Sequence, residues 1–270
     1  MIRIYALRCG TVGTDETVPD RARSENPYAY TGIFRGGKHR VWLPVYTYLI
    51  EHPRGNILVD TGWHTAVRSD PIKHMSWQLN IASKAVLPPG EAVAEQLALL
   101  GLAPSQLDFV LLTHLDVDHV SGLKLVKDAK KIYAGEAELK AASRLDMRYN
   151  RKLWEGIPIV PVPMAHTGIG PEGMSFDVFG DGSIQFVDLS GHSAGTTGVL
   201  ITSGGRFVLL TADACYNRSN WEKLKLQGIT TDKGKALRAL EWVQKMSRQP
   251  GCAEILATHD PEIQPHMIKL

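Results

Sequence analysis

Phe109-Val-Leu-Leu-Thr-His-Leu-Asp-Val-Asp-His-Val-Ser-Gly122 is the stretch from which the rest of the chain can be read. Its apolar start, Phe109 to Leu112, has the character of a buried strand. His114, Asp116, Asp118 and His119 follow at once, so four metal-competent side chains fall within six residues. Imidazoles and carboxylates at this spacing converge on cations if the backbone turns there. Ser121-Gly122 then lets the chain turn onward.

The arrangement recurs along the sequence. Ile184 to Leu189 runs into Gly191-His192, Arg206 to Leu210 runs into Asp213, and Glu254 to Ala257 runs into His259-Asp260. In open sheets, sites form outside the carboxyl ends of strands. Apolar runs that each end in His or Asp therefore point to one site assembled from distant segments.

Composition is consistent with a folded domain. The 270 residues suffice for one large α/β domain and are marginal for two. A 44% hydrophobic and 21% charged content supports a substantial core and argues against disorder. The net charge is +2, and the densest basic stretch, Lys124 to Lys131, reads as an exposed turn and strand start, so no nucleic-acid partner is expected. No apolar run approaches the ~18 residues of a membrane span, and charges interrupt Met1 to Arg8 as in an edge strand. Cys9, Cys215 and Cys252 have no C-x-x-C spacing and are odd in number, which fits a reducing cytoplasm better than a disulfide framework. Cys215 reads as a packing residue.

Residues 8–37 have little periodicity and read as a long surface loop. Val41 to Ile50 and Asn56 to Asp60, joined by Pro53-Arg-Gly55, form a hairpin signal. Residues 63–87 read either as a lid and hydrophobic wall, with Trp63, Met75 and Trp77 as substrate contacts, or as a core-packing or dimer-contact segment. His64, His74 and His166 lack ligand spacing and read as surface or packing residues. Helices are expected over Gly90 to Leu100, Glu136 to Leu145 and Asp232 to Met246, the last with a stripe of Leu237, Leu240 and Val243. Lys130 to Ala134 reads as a strand, and Pro158 to Pro163 as a proline-broken edge strand. Arg144 to Trp154 is a candidate border of the substrate entrance. The pattern alone supports one α/β domain over 1–270.

His114-Leu-Asp-Val-Asp-His119 with His192, Asp213 and His259 resembles the H-x-H-x-D-H…H…D…H ligand set of the metallo-β-lactamase superfamily. Leu58-Val-Asp-Thr-Gly62, Asp213-Ala-Cys-Tyr216 and His259-Asp260 extend the likeness towards its quorum-quenching N-acyl-homoserine lactonases. The resemblance implies an αβ/βα sandwich, two mixed sheets faced by helices, and a metal-dependent hydrolase with two divalent cations. One cation would take His114, Asp116 and His192, the second Asp118, His119 and His259, with Asp213 bridging. It further implies that a bridging hydroxide attacks a lactone or ester carbonyl, that Asp118 relays a proton, that Tyr216 stabilises the oxyanion, and that Asp60 orients a ligand histidine.

The chain departs from the family at Asp116, where the pattern has its second histidine. A carboxylate adds negative charge and a harder donor, which favours iron, manganese or cobalt, while the general affinity order still favours zinc. Alternative readings keep the metals but change the substrate to a phosphotriester, phosphodiester, aryl ester or thioester. Flavodiiron proteins also resemble the pattern, with H-x-E-x-D-H, but carry a flavodoxin module that this sequence does not show. A non-catalytic acyl-ligand binder is the remaining alternative. The apolar residues from Trp63 to Trp77 are compatible with a homodimer.

Overall fold

The apolar runs lack polar alternation because they are buried on both faces. The computed structural model describes residues 1–144 and 146–270, and two sheets stack within it, each covered by helices on its outer side. The strands are β1 (Arg3–Asp15), β2 (Arg40–His52), β3 (Gly55–Val59), β4 (Lys84–Val86), β5 (Leu107–Leu112), β6 (Lys131–Gly135), β7 (Val160–Val162), β8 (Ala165–His166), β9 (Met174–Asp177), β10 (Ile184–Asp188), β11 (Thr197–Ser203), β12 (Arg206–Ala212), β13 (Cys252–Ala257) and β14 (Met267–Lys269). The helices are α1 (Pro71–Met75), α2 (Trp77–Ala82), α3 (Val93–Leu99), α4 (Val117–Val120), α5 (Glu136–Ala142), α6 (Arg218–Glu222) and α7 (Lys233–Ser247).

The first sheet runs β14-β1-β2-β3-β5-β6-β7, with β4 also paired to β1, and the second runs β13-β12-β11-β10-β9-β8. Both are mixed: β3, β5, β6 and β7 are parallel neighbours, as are β12 and β13, while the other pairs are antiparallel. Successive residues of one strand enter different cores. Ile57, Val59 and Leu111 join Phe186, Val199, Val208 and Leu210 between the sheets. Leu58, Val110 and Leu112 pack outward with Val93 and Leu97 of α3, and Leu200 and Leu209 pack outward with Ala239, Leu240 and Val243 of α7. This is the expected αβ/βα sandwich.

Several local expectations need correction. The loop expected from Arg8 starts only after Asp15, because β1 pairs with β2 along its length. A register shift between Arg8 and Thr11, with Gly10 at φ +99°, breaks the alternation that would have revealed the strand. Residues 16–39 then cross the surface with short 3-10 turns at Arg21–Arg23, Ala29–Thr31 and Gly37–His39. On α7, Leu240 and Val243 of the expected stripe are buried with Ala236 and Ala239, a helical i, i+3, i+4, i+7 face, and Leu237 falls off that face at 37% exposure. Helix α5 ends at Ala142, and Leu145, the expected end, lies outside the described residues. The proline-broken run is confined to Val160–Val162 on an edge, as expected. No helix among the described residues is long and apolar enough to cross a membrane.

Candidate metal centre

Five strand ends supply the site. β3 delivers Asp60, β5 leads through Thr113 to His114, β10 leads to His192, β12 ends one residue before Asp213, and β13 leads to His259. Strands β10 and β12 run the same way because β11 is antiparallel to both, and β13 is parallel to β12, so the C-terminal ends of these three strands emerge on one side. After β5 the chain turns into α4, which places Asp118 and His119 in its single turn and Asp116 at its N-cap. Asp60 (φ +58°) and Ala212 (φ +47°) adopt left-handed backbone where their strands break off. Gly122 lets α4 come close, since a Cβ there would meet the Thr61 carbonyl oxygen at 2.3 Å.

All seven expected ligand residues converge into two groups that share Asp213. His114 Nε2 lies 3.5 Å from Asp116 Oδ2 and 3.8 Å from Asp213 Oδ2. His192 Nε2 lies 3.0 and 3.7 Å from the same two oxygens. On the other side, His119 and His259 each place Nε2 3.2 Å from Asp213 Oδ1, and His259 Nε2 is 3.5 Å from Asp118 Oδ2. Donors around one tetrahedral cation with bonds of about 2.0–2.1 Å lie about 3.4 Å apart, which is close to these spacings.

Each imidazole is held by its other nitrogen. His114 Nδ1 is 3.0 Å from Thr113 Oγ1, His119 Nδ1 2.8 Å from Asp60 Oδ2, His192 Nδ1 3.0 Å from the Ile229 carbonyl, and His259 Nδ1 2.8 Å from the Pro44 carbonyl. With Nδ1 donating outward, every Nε2 faces the centre, where a bound cation would take the place of a proton. His114 Nε2, His119 Nε2 and Asp213 Oδ1 are buried without a hydrogen-bond partner. Leaving such atoms unpaired costs about 1–3 kcal/mol each. Divalent metal would satisfy all three, so the donor set fits it.

The electrostatics follow from crowding carboxylates and imidazoles in a buried place. Burial would raise Asp213, but the charges of His259 and His119 hold it well below the usual carboxylate range. Burial would lower His119, yet Asp213, Asp60 and Asp118 lift it well above the ordinary imidazole value. His192 is lowered by burial and by the Arg148 guanidinium. For Asp116, burial is likewise outweighed by Arg148, assisted by His114 and His192, and the carboxyl sits far below its ordinary value.

Two side chains in this network were not anticipated. Arg148 donates from Nε to Asp116 Oδ1 at 2.5 Å, from Nη2 to Oδ2 at 2.7 Å, and from Nη1 to the His192 carbonyl at 2.9 Å. Glu138, completely buried on α5, accepts from the Leu115 amide on one oxygen and from Ser193 Oγ and the Gly195 amide on the other. The only signal for Arg148 is Asp116 itself, since a carboxylate standing where a neutral ring is usual calls for a cation. Glu138 gives no signal, because a glutamate is unremarkable in a helix.

Tyr216 is buried with its ring stacked on His259, centroids 5.0 Å apart, and edge-on to His192 at 6.0 Å. Cys215 packs into the core beneath α7. Of the three residues expected to meet a substrate, Trp63 and Met75 are fully buried in the core instead. Trp63 donates to the Thr11 carbonyl, and burial of its large apolar surface against β1 outweighs exposure at a site. Trp77 is 60% exposed. His64 and His74 stack on each other, and His166 is exposed on edge strand β8, so none of the three joins the centre.

A sandwich with histidines and aspartates converging at its strand ends is built to hold metal, and the relatives of this chain make it a metal-dependent hydrolase. The profile of the metallo-beta-lactamase superfamily matches residues 40–247. The chain belongs to that superfamily. It is 26% identical over 267 residues to the N-acyl homoserine lactonase AttM of Rhizobium johnstonii, a match covering 96% of this chain and 94% of that protein. Among solved structures it is similar to an N-acyl homoserine lactone hydrolase holding N-hexanoyl-L-homoserine at its catalytic metal centre, with TM-score 0.75, 22% identity, and 96% and 94% of the two chains covered. It is also similar to the dizinc quorum-quenching lactonase AidC, with TM-score 0.67, 14% identity, and 100% and 91% covered.

Proposed function

We propose that the chain uses two divalent cations to open a lactone ring of the N-acyl-homoserine type. The observation that supports this most directly is the pair of donor groups sharing Asp213, each of its oxygens facing two histidine Nε2 atoms. His114, Asp116 and His192 would hold one cation, Asp118, His119 and His259 the other, and Asp213 both. Zinc is the expected metal, with iron, manganese or cobalt as the alternatives that a carboxylate at Asp116 favours. When bound, the cations supply an acidified water and a Lewis acid for the carbonyl oxygen.

The remaining chemistry falls to the chain. An alkoxide leaves poorly, so a proton must reach it. Asp118, beside His259 and slightly open to solvent, takes that proton from the attacking water and passes it on. Tyr216 donates its phenolic hydrogen towards the developing oxyanion. Asp60 positions the His119 ring. Trp77, exposed at the start of α2, is the one of the three expected substrate contacts left free to meet an acyl chain.

The test is a substrate panel with purified, metal-loaded protein: N-acyl-homoserine lactones of graded chain length, a phosphotriester, a phosphodiester, an aryl ester and a thioester. Lactone opening, followed by proton release and abolished by chelator, is the expected leading activity. Lactone turnover no faster than with metal-free protein would overturn the proposal, and a preference for another member of the panel would reassign the substrate.

A further inference from the structure

We infer that Arg148 is a positioning residue of the metal centre: it holds Asp116 so that one carboxylate oxygen faces His114 and His192, and it balances the charge that this carboxylate adds. The inference rests on the dinuclear reading above. Asp116 Oδ2 is the oxygen near both Nε2 atoms, at 3.0 Å from His192 and 3.5 Å from His114. Oδ1 instead takes the Arg148 Nε hydrogen, while Nη2 reaches Oδ2 from the same fork. The third donor, Nη1, binds the His192 carbonyl, so a single guanidinium ties together two ligand segments that are far apart in sequence.

Several features make this a built arrangement. The Arg148 side chain is only 16% exposed and that of Asp116 15%. A planar fork with several fixed donors suits the task, and a lysine ammonium does not reproduce it. Charge favours the same pairing independently of this geometry. Asp116, Asp118 and Asp213 place three carboxylates around the centre, and a guanidinium beside one of them returns the local charge to that of a site with a neutral imidazole at this position.

The inference predicts a dependence between positions 116 and 148 that metal affinity reads directly. Zinc binding would be measured by competition with a chromophoric chelator, with elemental analysis of metal per chain, on the parent protein, Arg148→Met, Arg148→Lys, Asp116→His, and the double variant Asp116→His/Arg148→Met. For Arg148→Met, one equivalent should weaken by about 10–100-fold, the usual effect of removing a partner behind a ligand, while the other stays tight. Arg148→Lys should recover only part of that loss, and it carries the comparison should the methionine variant fail to fold.

Asp116→His alone should also weaken the same equivalent, because the guanidinium then presses on an imidazole. The double variant should restore two tight equivalents. Parent-like affinity in both Arg148→Met and Arg148→Lys, tighter binding in either, or a double variant no better than Arg148→Met would overturn the inference. A parent protein that binds fewer than two metals under any condition would instead overturn the dinuclear reading, and the inference with it.

Discussion

The His119 ring is anchored from behind by Asp60, whose Oδ2 lies 2.8 Å from His119 Nδ1. The same carboxylate accepts from the Thr113 amide and hydroxyl, at 2.8 and 2.7 Å. Asp60 therefore couples the ends of β3 and β5 to α4, from a left-handed backbone position that Asp and Asn tolerate better than most residues. Asp60→Asn should fold, but its amide nitrogen must then face one of three hydrogen-bond donors. Metal affinity is expected to fall by about 10–100-fold, measured by chelator competition. Unchanged chelator resistance would show that His119 does not need this anchor.

Glu138 performs a comparable task for the other segments. Its carboxylate joins the Leu115 amide, between two candidate ligands, to Ser193 and Gly195 beyond His192. Helix α5 presses hard on that loop, since a Cβ on Gly195 would meet the Glu138 nitrogen at 2.3 Å. Glu138→Gln turns one acceptor into a donor that faces another donor. The expected cost is about 1–3 kcal/mol in urea unfolding. The neighbouring exposed Glu136→Gln should change stability by less than about 0.5 kcal/mol. Equal effects at the two positions would remove Glu138 from this role.

Much of this centre was legible in the sequence because strand ends and ligands coincide. An apolar run followed by His or Asp locates both an element and its end, and four such runs converge once their strands lie side by side. The network behind the ligands was legible only at Asp60, through the resemblance, and not at Arg148 or Glu138. Arg148 lies 32 residues from Asp116, and nothing local distinguishes it from Arg144 or Arg151. Trp63 and Met75 misled for a related reason: a large apolar side chain near a site looks the same in sequence whether it lines a pocket or fills the core beneath it. β1 was half hidden because its bulge reverses the alternation on which strand reading depends.

His74 is expected to make stability sensitive to acid. Its ring stacks on His64 with centroids 5.0 Å apart, and its Nε2 lies 2.8 Å from Ser121 Oγ. Burial, reinforced by His64 and Lys124, depresses it to about 4, against about 6.5 in an unfolded chain. Between those values the unfolded state binds more protons, so this contribution is intact above about pH 6.5 and is lost as pH falls towards 4. The ring is only half-buried, and screening reduces the effect to on the order of 1 kcal/mol. Urea midpoints of chelated protein from pH 7 to pH 4.5 should fall less steeply for His74→Gln than for the parent. Parallel curves would show that His74 is not the sensor.

Tyr216 is placed so that one substitution separates packing from chemistry. Its ring lies against His259 at 5.0 Å with an interplanar angle of 22°, and its amide is fixed by Asn220 Oδ1 at 2.9 Å. Burial, followed by the charges of Asp213, Asp118 and Asp116, pushes the phenol well above its usual range, and a phenol keeps its hydrogen at neutral pH even at its ordinary value. Tyr216→Phe keeps the stacked ring and removes only the donor. If the hydroxyl meets the oxyanion, kcat should drop by about 10²–10³-fold, as for loss of one such donor. KM, metal content and unfolding midpoint should stay near the parent values, because the hydrogen bond matters most once charge has developed on the oxygen. If kcat also stays at the parent value, the tyrosine serves only to hold His259 in place.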